Sequence, residues 1–441
     1  MGGFLGMRGS GSWATDERPK TWREGILYVY PNGVSPLTAI MSKGKKERVD
    51  DAEFYWWTKR LQGQRATVTG RYTDSTLNTA YVSGGVAGDV IYLKMSEADS
   101  IHFRIGHQVL LRVSTEPAVD VNAKVISREA NGANSAMGVS LLEADDNGTK
   151  DISNVDEVLV MGSINPEGGR MPAAVSYDPV KYYNLTGIYI NSLNATRTAL
   201  QTKYRTNPQK LPELKRETFE YHQMEMEKAF MFSIRTENIS SVNGMPERTT
   251  CGLVPAIKAY APTNVSDFRL AGGGDTWLEG GEEWLDEMIK LIFRYRDGKS
   301  IKSKIAFCGD GALEGINRLV KKGGAQYTIT KGEIGYGIEV ITWTTVFGTL
   351  HLIPHPLFIF NTVDQYSMVI CEPARLTFKY IQDTIYVDDQ ARKSSTFFSK
   401  NGGEAWIDGI KECYLTEAGL EYNDPITSGY LTSVGLDSSM P

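Results

Sequence analysis

The chain has 441 residues, 41% of them hydrophobic, and a formal charge of −6 at pH 7. That length supports two or three domains with sizeable cores, and the acidic balance argues against a dedicated nucleic-acid binder, which usually presents a basic field. No run approaches the roughly 18 apolar residues that cross a bilayer, and the start Met1-Gly2-Gly3-Phe4-Leu5-Gly6 has neither a secretory leader nor a Ser or Thr at Gly6 for myristoylation, so folding is expected in the cytoplasm.

Residues 1–50 are rich in Gly, with Pro19, Pro31, Pro36 and a basic cluster at Lys43-Gly44-Lys45-Lys46, and they predict an extended arm with a short helix near Leu37 to Met41. Glu53-Phe54-Tyr55-Trp56-Trp57 opens a strand-rich region in which Ala66 to Thr69 and Asn78 to Val82 also have strand composition. From about 84 to 161, five apolar segments alternate with Gly, Asn and Asp turns: Val90 to Leu93, Gln108 to Val113, Ala123 to Ile126, Gly138 to Leu142 and Val158 to Val160. This spacing predicts a small β-barrel or sandwich inserted into a larger fold. Lys181 to Ile190 is a further extended segment.

Pro212 to Thr236 predicts the one long helix. Pro212 fits its first turn, Glu213, Glu217 and Glu220 complement the positive end of the dipole, and Phe219, Met226, Phe230 and Ile234 repeat on one side. Leu214, Thr218, Tyr221 and Met224 form a second side, so two faces want cover; an ordinary core helix of a large α+β domain is the plainer account. Beyond it the pattern turns to mixed α/β, with a helix over Glu282 to Arg296, a buried strand Lys304 to Cys308, and a short helix presenting Leu313, Ile316 and Leu319 inward. Strands follow at Gln326 to Thr330, Ile338 to Thr345, Thr349 to Ile353, Met368 to Cys371, Leu376 to Ile381 and Trp406 to Leu415.

Catalytic and metal chemistry find no foothold in this pattern. Cys251, Cys308, Cys371 and Cys413 lie far apart and read as free, mostly buried thiols. Sequons at Asn147, Asn184, Asn194, Asn238 and Asn264 are chance matches in a chain with no secretion signal. His351 and His355 are four apart, but Pro354 and Pro356 make the segment extended, so packing is expected in place of a metal site. Cys308-Gly309-Asp310-Gly311 joins a strand to a helix without the Lys-Ser/Thr of a nucleotide loop, so Asp310 is expected to cap a helix rather than the glycines to cradle phosphate. No G-x-S-x-G elbow occurs, and the paired acids, such as Asp145-Asp146 and Glu282-Glu283, read as solvated turns or helix starts. No catalytic, cofactor-binding or metal-binding residue is assigned.

The ordered set of arm, strand-rich excursion, long helix, compact α/β unit and closing β segment resembles the major capsid proteins of tailed phages with the Hong Kong 97-type fold. Phe307-Cys308-Gly309-Asp310-Gly311 with Ala312 to Val320 is similar to the strand-turn-helix of that family's axial domain, and Tyr336 to Val340 with Thr345 to Ile353 to the strand pair leaving it. Glu412 to Pro425 resembles the carboxy-terminal segment of one subfamily of phage head proteins. The resemblance implies an α+β fold divided into an N-terminal arm (1–50), an extended-loop region (51–210) containing the β-rich insertion, a spine helix of the peripheral domain (211–245), an axial domain (246–360) and a return to the peripheral domain (361–441). It implies a non-enzymatic protein that self-associates as hexamers and pentamers into an icosahedral-type shell around double-stranded DNA, with a separate scaffolding protein, a portal, an optional decoration protein and only incidental contact with the DNA. Trp22, Tyr28, Tyr30, Phe54, Trp56 and Trp57 are the candidate interface anchors, because aromatic burial dominates contact energetics; the alternative for Trp56 and Trp57 is the core of the subunit itself. Two rival readings are a cellular nanocompartment shell and a surface-binding structural protein that uses the β-rich insertion.

Overall fold

The structure is a computed structural model that describes residues 35–59, 63–202, 210–294, 303–323, 329–334, 338–359, 364–387 and 409–437. The chain divides into two compact units, one of Met1–Trp56 with Lys181–Pro441 and one of Trp57–Val180. Residues 1–34, with Trp22, Tyr28 and Tyr30, and residue Trp406 lie outside the described set.

The 57–180 unit is built on seven strands paired antiparallel throughout, in the order Arg65–Thr67, Glu157–Ser163, His107–Val113, Glu116–Glu129, Ser135–Leu141, Val90–Met95 and Gly70–Tyr72. The five apolar segments expected between 84 and 161 are all strands here, and the unit adds residues on both sides of that stretch. The first and last strands are neighbours in sequence. Val68 N donates to Asp156 O and Thr69 N to Lys94 O, so within two residues the chain leaves one end of the ladder and joins the other. Inward residues such as Val109, Leu111, Val121, Val125, Val139 and Val158 make a dry core of β-branched and Leu side chains, the alternation a half-buried sheet demands. Asn78 to Val82, expected as a strand, is instead a loop with a single bridge between Tyr72 and Ala80. The Asp74 carboxylate accepts from Asn78 N (3.0 Å) and Thr79 N (3.3 Å), and this local side-chain bond competes with the ladder for the backbone.

The other unit holds two large sheets, with smaller two-stranded pairings beside them, and two cores. A four-stranded sheet runs Lys45–Arg48, Leu376–Val387, Gly409–Tyr422, Gly187–Thr196, and the long helix Lys210–Phe232 lies on one of its faces. Phe230 meets Tyr189 and Phe378 edge-on at centroid distances of 6.0 and 5.9 Å. The helix begins two residues before the expected start and ends four before the expected Thr236. Its end is set by pairing: Thr236–Ile239 joins Pro246–Thr249 as a hairpin, and Thr249 Oγ1 donates to Ile234 O at 2.6 Å, which pulls Ile234 out of the helical row into solvent.

A seven-stranded mixed sheet is ordered Val265–Asp267, Gly429–Thr432, Met368–Cys371, Ser303–Cys308, Thr349–Pro354, Ile338–Thr344, Ile329–Ile334. Helices Trp277–Ile292 and Asp310–Gly323 share a core with it, through Trp277, Trp284, Leu285, Ile289, Ile316 and Leu319. The first of these starts five residues ahead of the expected Glu282, because Glu279 Oε2 accepts from Thr276 N (3.1 Å) and Thr276 Oγ1 (2.7 Å), half of a T-x-x-E capping box. At the turn Cys308-Gly309-Asp310, a Cβ on Gly309 would sit 2.3 Å from the Gln365 carbonyl oxygen, and Gly309 N donates to Ser367 O. The glycine admits a neighbouring backbone there; it leaves no open cradle.

Buried polar groups knit this unit together. Asn184 accepts from Cys251 N (2.8 Å) and Leu185 N (2.9 Å) and donates to Leu420 O (2.7 Å) and Cys251 O (3.1 Å), so one amide satisfies four backbone groups. Lys304 is buried, with Nζ donating to Thr427 O at 2.6 Å and standing 3.8 Å from Glu372 Oε2. Burial pushes its pKa down to about 8 against the opposing pull of Glu372. Because the folded value is depressed, the unfolded chain holds the extra proton between pH about 8 and about 10.5, and stability attributable to Lys304 rises with pH across that window. Against Lys304→Met as reference, urea midpoints should show the native chain gaining on the order of 3 kcal/mol over that range; parallel pH profiles would refute it.

Candidate assembly surfaces

Three surfaces bear on association, two on the 1–56/181–441 unit and one along the strand Glu53–Thr58. The first is where the arm meets the long helix. The arm helix Pro36–Lys43 has Pro36 in its first turn, and Ser35 at the cap position makes no side-chain cap bond. Its open N–H groups are taken by Glu227, from the long helix: Oε1 accepts from Leu37 N at 2.8 Å, and Oε2 from Thr38 N at 2.7 Å and Thr38 Oγ1 at 2.5 Å. His355 Nε2 donates to Glu227 Oε1 at 2.9 Å, while Leu357 N donates to its Nδ1 at 3.3 Å, which fixes the tautomer. Glu227 and His355 are fully buried. His355 is therefore spent on a carboxylate, and His351 lies 3.3 Å from Thr342 Oγ1.

The arm continues as Lys45–Arg48, which adds in parallel to the sheet edge at Thr377–Tyr380. Lys379 Nζ is held between Glu47 (2.7 Å) and Glu421 (2.8 Å), and Lys46 pairs with Asp383 at 3.1 Å, so this end of the basic cluster is used within the subunit.

The second surface is the face of the four-stranded sheet turned away from the long helix. On the helix side, His222 bridges Asn191 Oδ1 (2.6 Å) and Thr416 Oγ1 (2.8 Å), and burial lowers its pKa. Odd-numbered Tyr189, Asn191 and Leu193 thus face the helix and even-numbered Ile188 and Ile190 face away. Across the strands, Ile190 stands opposite Leu415, and Leu415 opposite Ile385. Ile188 is 58% exposed, Ile190 56% and Ile385 38%. A row of aliphatic side chains crossing three strands is a contiguous patch, in contrast to a scatter of single exposed residues. Its outer strand, Gly187–Thr196, is the sheet's open edge among the described residues.

The third surface is the strand Glu53–Thr58, where the proposed anchors separate by parity. Phe54 and Trp56 are buried, Trp56 packing edge-on to Tyr422 at 5.0 Å and stacking on Tyr182 at 6.0 Å; they serve the subunit's own core. Tyr55 points outward with Lys181 Nζ 3.6 Å above its ring, and Trp57 is 61% exposed. Alternation along a strand buried on one side is the physical reason.

Among the described residues no group of three or more His, Cys, Asp or Glu is arranged to hold a metal ion, and no helix is long and apolar enough to cross a membrane. Burial raises the thiols of Cys251, Cys308 and Cys371, the last to about 12, which removes their nucleophilic form.

A family model described as SU10 major capsid protein matches residues 12–435. The chain belongs to that family. It is a major capsid protein, a structural family that is not an enzyme class. A major capsid protein of Pseudomonas phage PaMx41 is 24% identical over 343 residues, covering 77% of this chain and 73% of that one. Among solved structures, a chain of Mycobacterium phage Bobi aligns over 95% of this chain and 96% of its own with 9% identity and a TM-score of 0.43; the SrpI encapsulin of Synechococcus elongatus PCC 7942 aligns over 60% and 78% with 13% identity and a TM-score of 0.37. The apolar sheet face and the open edge are surfaces that the lone subunit of this capsid protein leaves exposed among the described residues. Sequence reasoning missed both this face and Glu227. Adjacent aliphatic residues on both faces of Gly187–Thr196 signal a strand covered on two sides, but nothing local marks Glu227 as the cap of a helix 190 residues away.

Proposed function

We propose that this capsid protein is a Hong Kong 97-type subunit that tiles, as hexamers and pentamers, a closed shell around the packaged double-stranded DNA of a tailed phage. The observation that carries the reading is the row Ile190, Leu415 and Ile385, in which Ile190 and Ile385 are exposed and Leu415 is half-buried in the lone subunit, on a sheet whose other face carries the long helix. The long helix is read as the spine of the peripheral domain, the mixed seven-stranded sheet as the axial domain, and the 57–180 unit as an insertion in the extended loop. Pairing through Val68 and Thr69 supports a closed small barrel in that insertion. Trp57, 61% exposed, is proposed as an interface anchor, and Trp22, Tyr28 and Tyr30 are proposed to act with the arm across a neighbouring copy. A scaffolding protein, a portal and a decoration protein are the further partners, with assembly in the host cytoplasm.

A major capsid protein family model spanning 12–435, together with a phage major capsid protein relative, weakens the nanocompartment alternative. Negative-stain imaging of the full chain co-expressed with its scaffolding protein should show closed particles with five-fold and six-fold clusters. Only monomers or small rings under every assembly condition would sink the proposal.

A further inference from the structure

We propose that the 57–180 unit carries a preformed binding cleft for an acidic, partly aliphatic peptide segment of a partner protein. The cleft encloses about 710 Å³, within the roughly 300–1,000 Å³ range of ligand clefts. Arg104, Lys124, Arg128 and Arg170 line it, no Asp or Glu is among the lining residues, and none of these four cations makes an ion pair among the described residues. In a chain of net charge −6, where Arg65, Arg112 and Lys150 elsewhere in the unit are paired with acids, four positive groups around one concavity with no acid in its lining are a segregated field.

The cleft is built and held. One wall is the irregular segment 164–177, pinned at both ends: Ile164 N donates to Gly106 O at 2.8 Å, and the Tyr177 hydroxyl lies 3.1 Å from His102 Nδ1. Arg104 braces the middle, donating from Nη1 to Ala173 O at 3.0 Å and from Nε to His107 Nε2 at 2.8 Å. Pro166 and Pro172 stiffen the wall further. A site fixed before its ligand arrives loses less entropy on binding.

The lining chooses the occupant. Beside the cations stand the exposed aliphatic Ile101 and Ile105, with Val175 on the opposite wall, so a ligand must offer both carboxylates and aliphatic groups. The aromatic in the lining, Phe103, is fully buried, which leaves no platform for the base stacking that single-stranded nucleic acids use. Guanidinium and ammonium groups pair with the carboxylates through charge-assisted hydrogen bonds, and aliphatic contact supplies the remainder.

The test uses the full chain and a fluorescein-labelled six-residue peptide alternating glutamate and isoleucine, followed by anisotropy. Saturable binding is expected, weakening with added salt and falling at least about tenfold in Lys124→Glu/Arg128→Glu, with Lys94→Glu, a charge reversal outside the cleft, leaving it intact. Arg128→Gln, at an exposed position, should give an intermediate loss without a folding defect. No binding, equal loss in Lys94→Glu, tighter binding of a six-nucleotide single-stranded DNA, or full displacement by millimolar inorganic phosphate would each overturn the proposal.

Discussion

Replacing Glu227 by alanine is expected to cost about 3–5 kcal/mol and to free the arm helix, the range seen when one partner of a buried, hydrogen-bonded pair is removed. Four donors converge on this carboxylate: Leu37 N, Thr38 N, Thr38 Oγ1 and His355 Nε2. Its loss strands two helix-start N–H groups and a buried imidazole at once. Glu227→Gln should recover only part, because an amide offers one acceptor oxygen and turns its own donors toward the others. Denaturant midpoints give the energy, and hydrogen exchange at the Leu37 and Thr38 amides reports release of the arm. A change under about 1 kcal/mol with both amides still protected would mean that burial of Leu37 and Met41 alone holds the segment.

Placing lysine at both Ile190 and Ile385 is expected to abolish shells while leaving the subunit folded. Both side chains are substantially exposed in the lone chain, so the folding cost should stay near or below about 1 kcal/mol. In an assembled shell the same ammonium groups would be desolvated against a neighbour without a partner, at about 1–3 kcal/mol or more each. Every 1.4 kcal/mol is a factor of about ten in association, and the penalty repeats at each copy, so the fraction sedimenting as closed particles should fall by at least about tenfold. Shells forming at undiminished yield would identify the face as ordinary solvent-exposed surface and remove the main support for the tiling arrangement.

Much of the architecture was legible because it rests on local periodicity. The five apolar segments between 84 and 161, the strand Met368–Cys371 and the inward faces of Ile316 and Leu319 follow from spacing alone, since a strand or helix with one wet side must alternate at its own period. The start of Trp277–Ile292 is also written in the chain, as the Thr276–Glu279 capping pair that precedes the acid-rich stretch at Glu282. Where two local demands compete, spacing does not arbitrate. Ile234 fits the helical row, yet the bond from Thr249, fifteen residues on, ends the helix before it.

By itself the chain determined that it would be an α+β protein with one long helix, a β-rich excursion, free buried thiols and no local catalytic motif, because composition, period and turn chemistry are properties of neighbouring residues. Tertiary structure alone decided that Ser35 would leave the arm helix uncapped and Glu227 would cap it, that Phe54 and Trp56 would turn inward and Trp57 out, and that four cations would converge on one cleft. Those outcomes depend on which distant groups arrive within about 3 Å of one another, and a buried donor accepts any partner that satisfies it, whatever the distance along the chain.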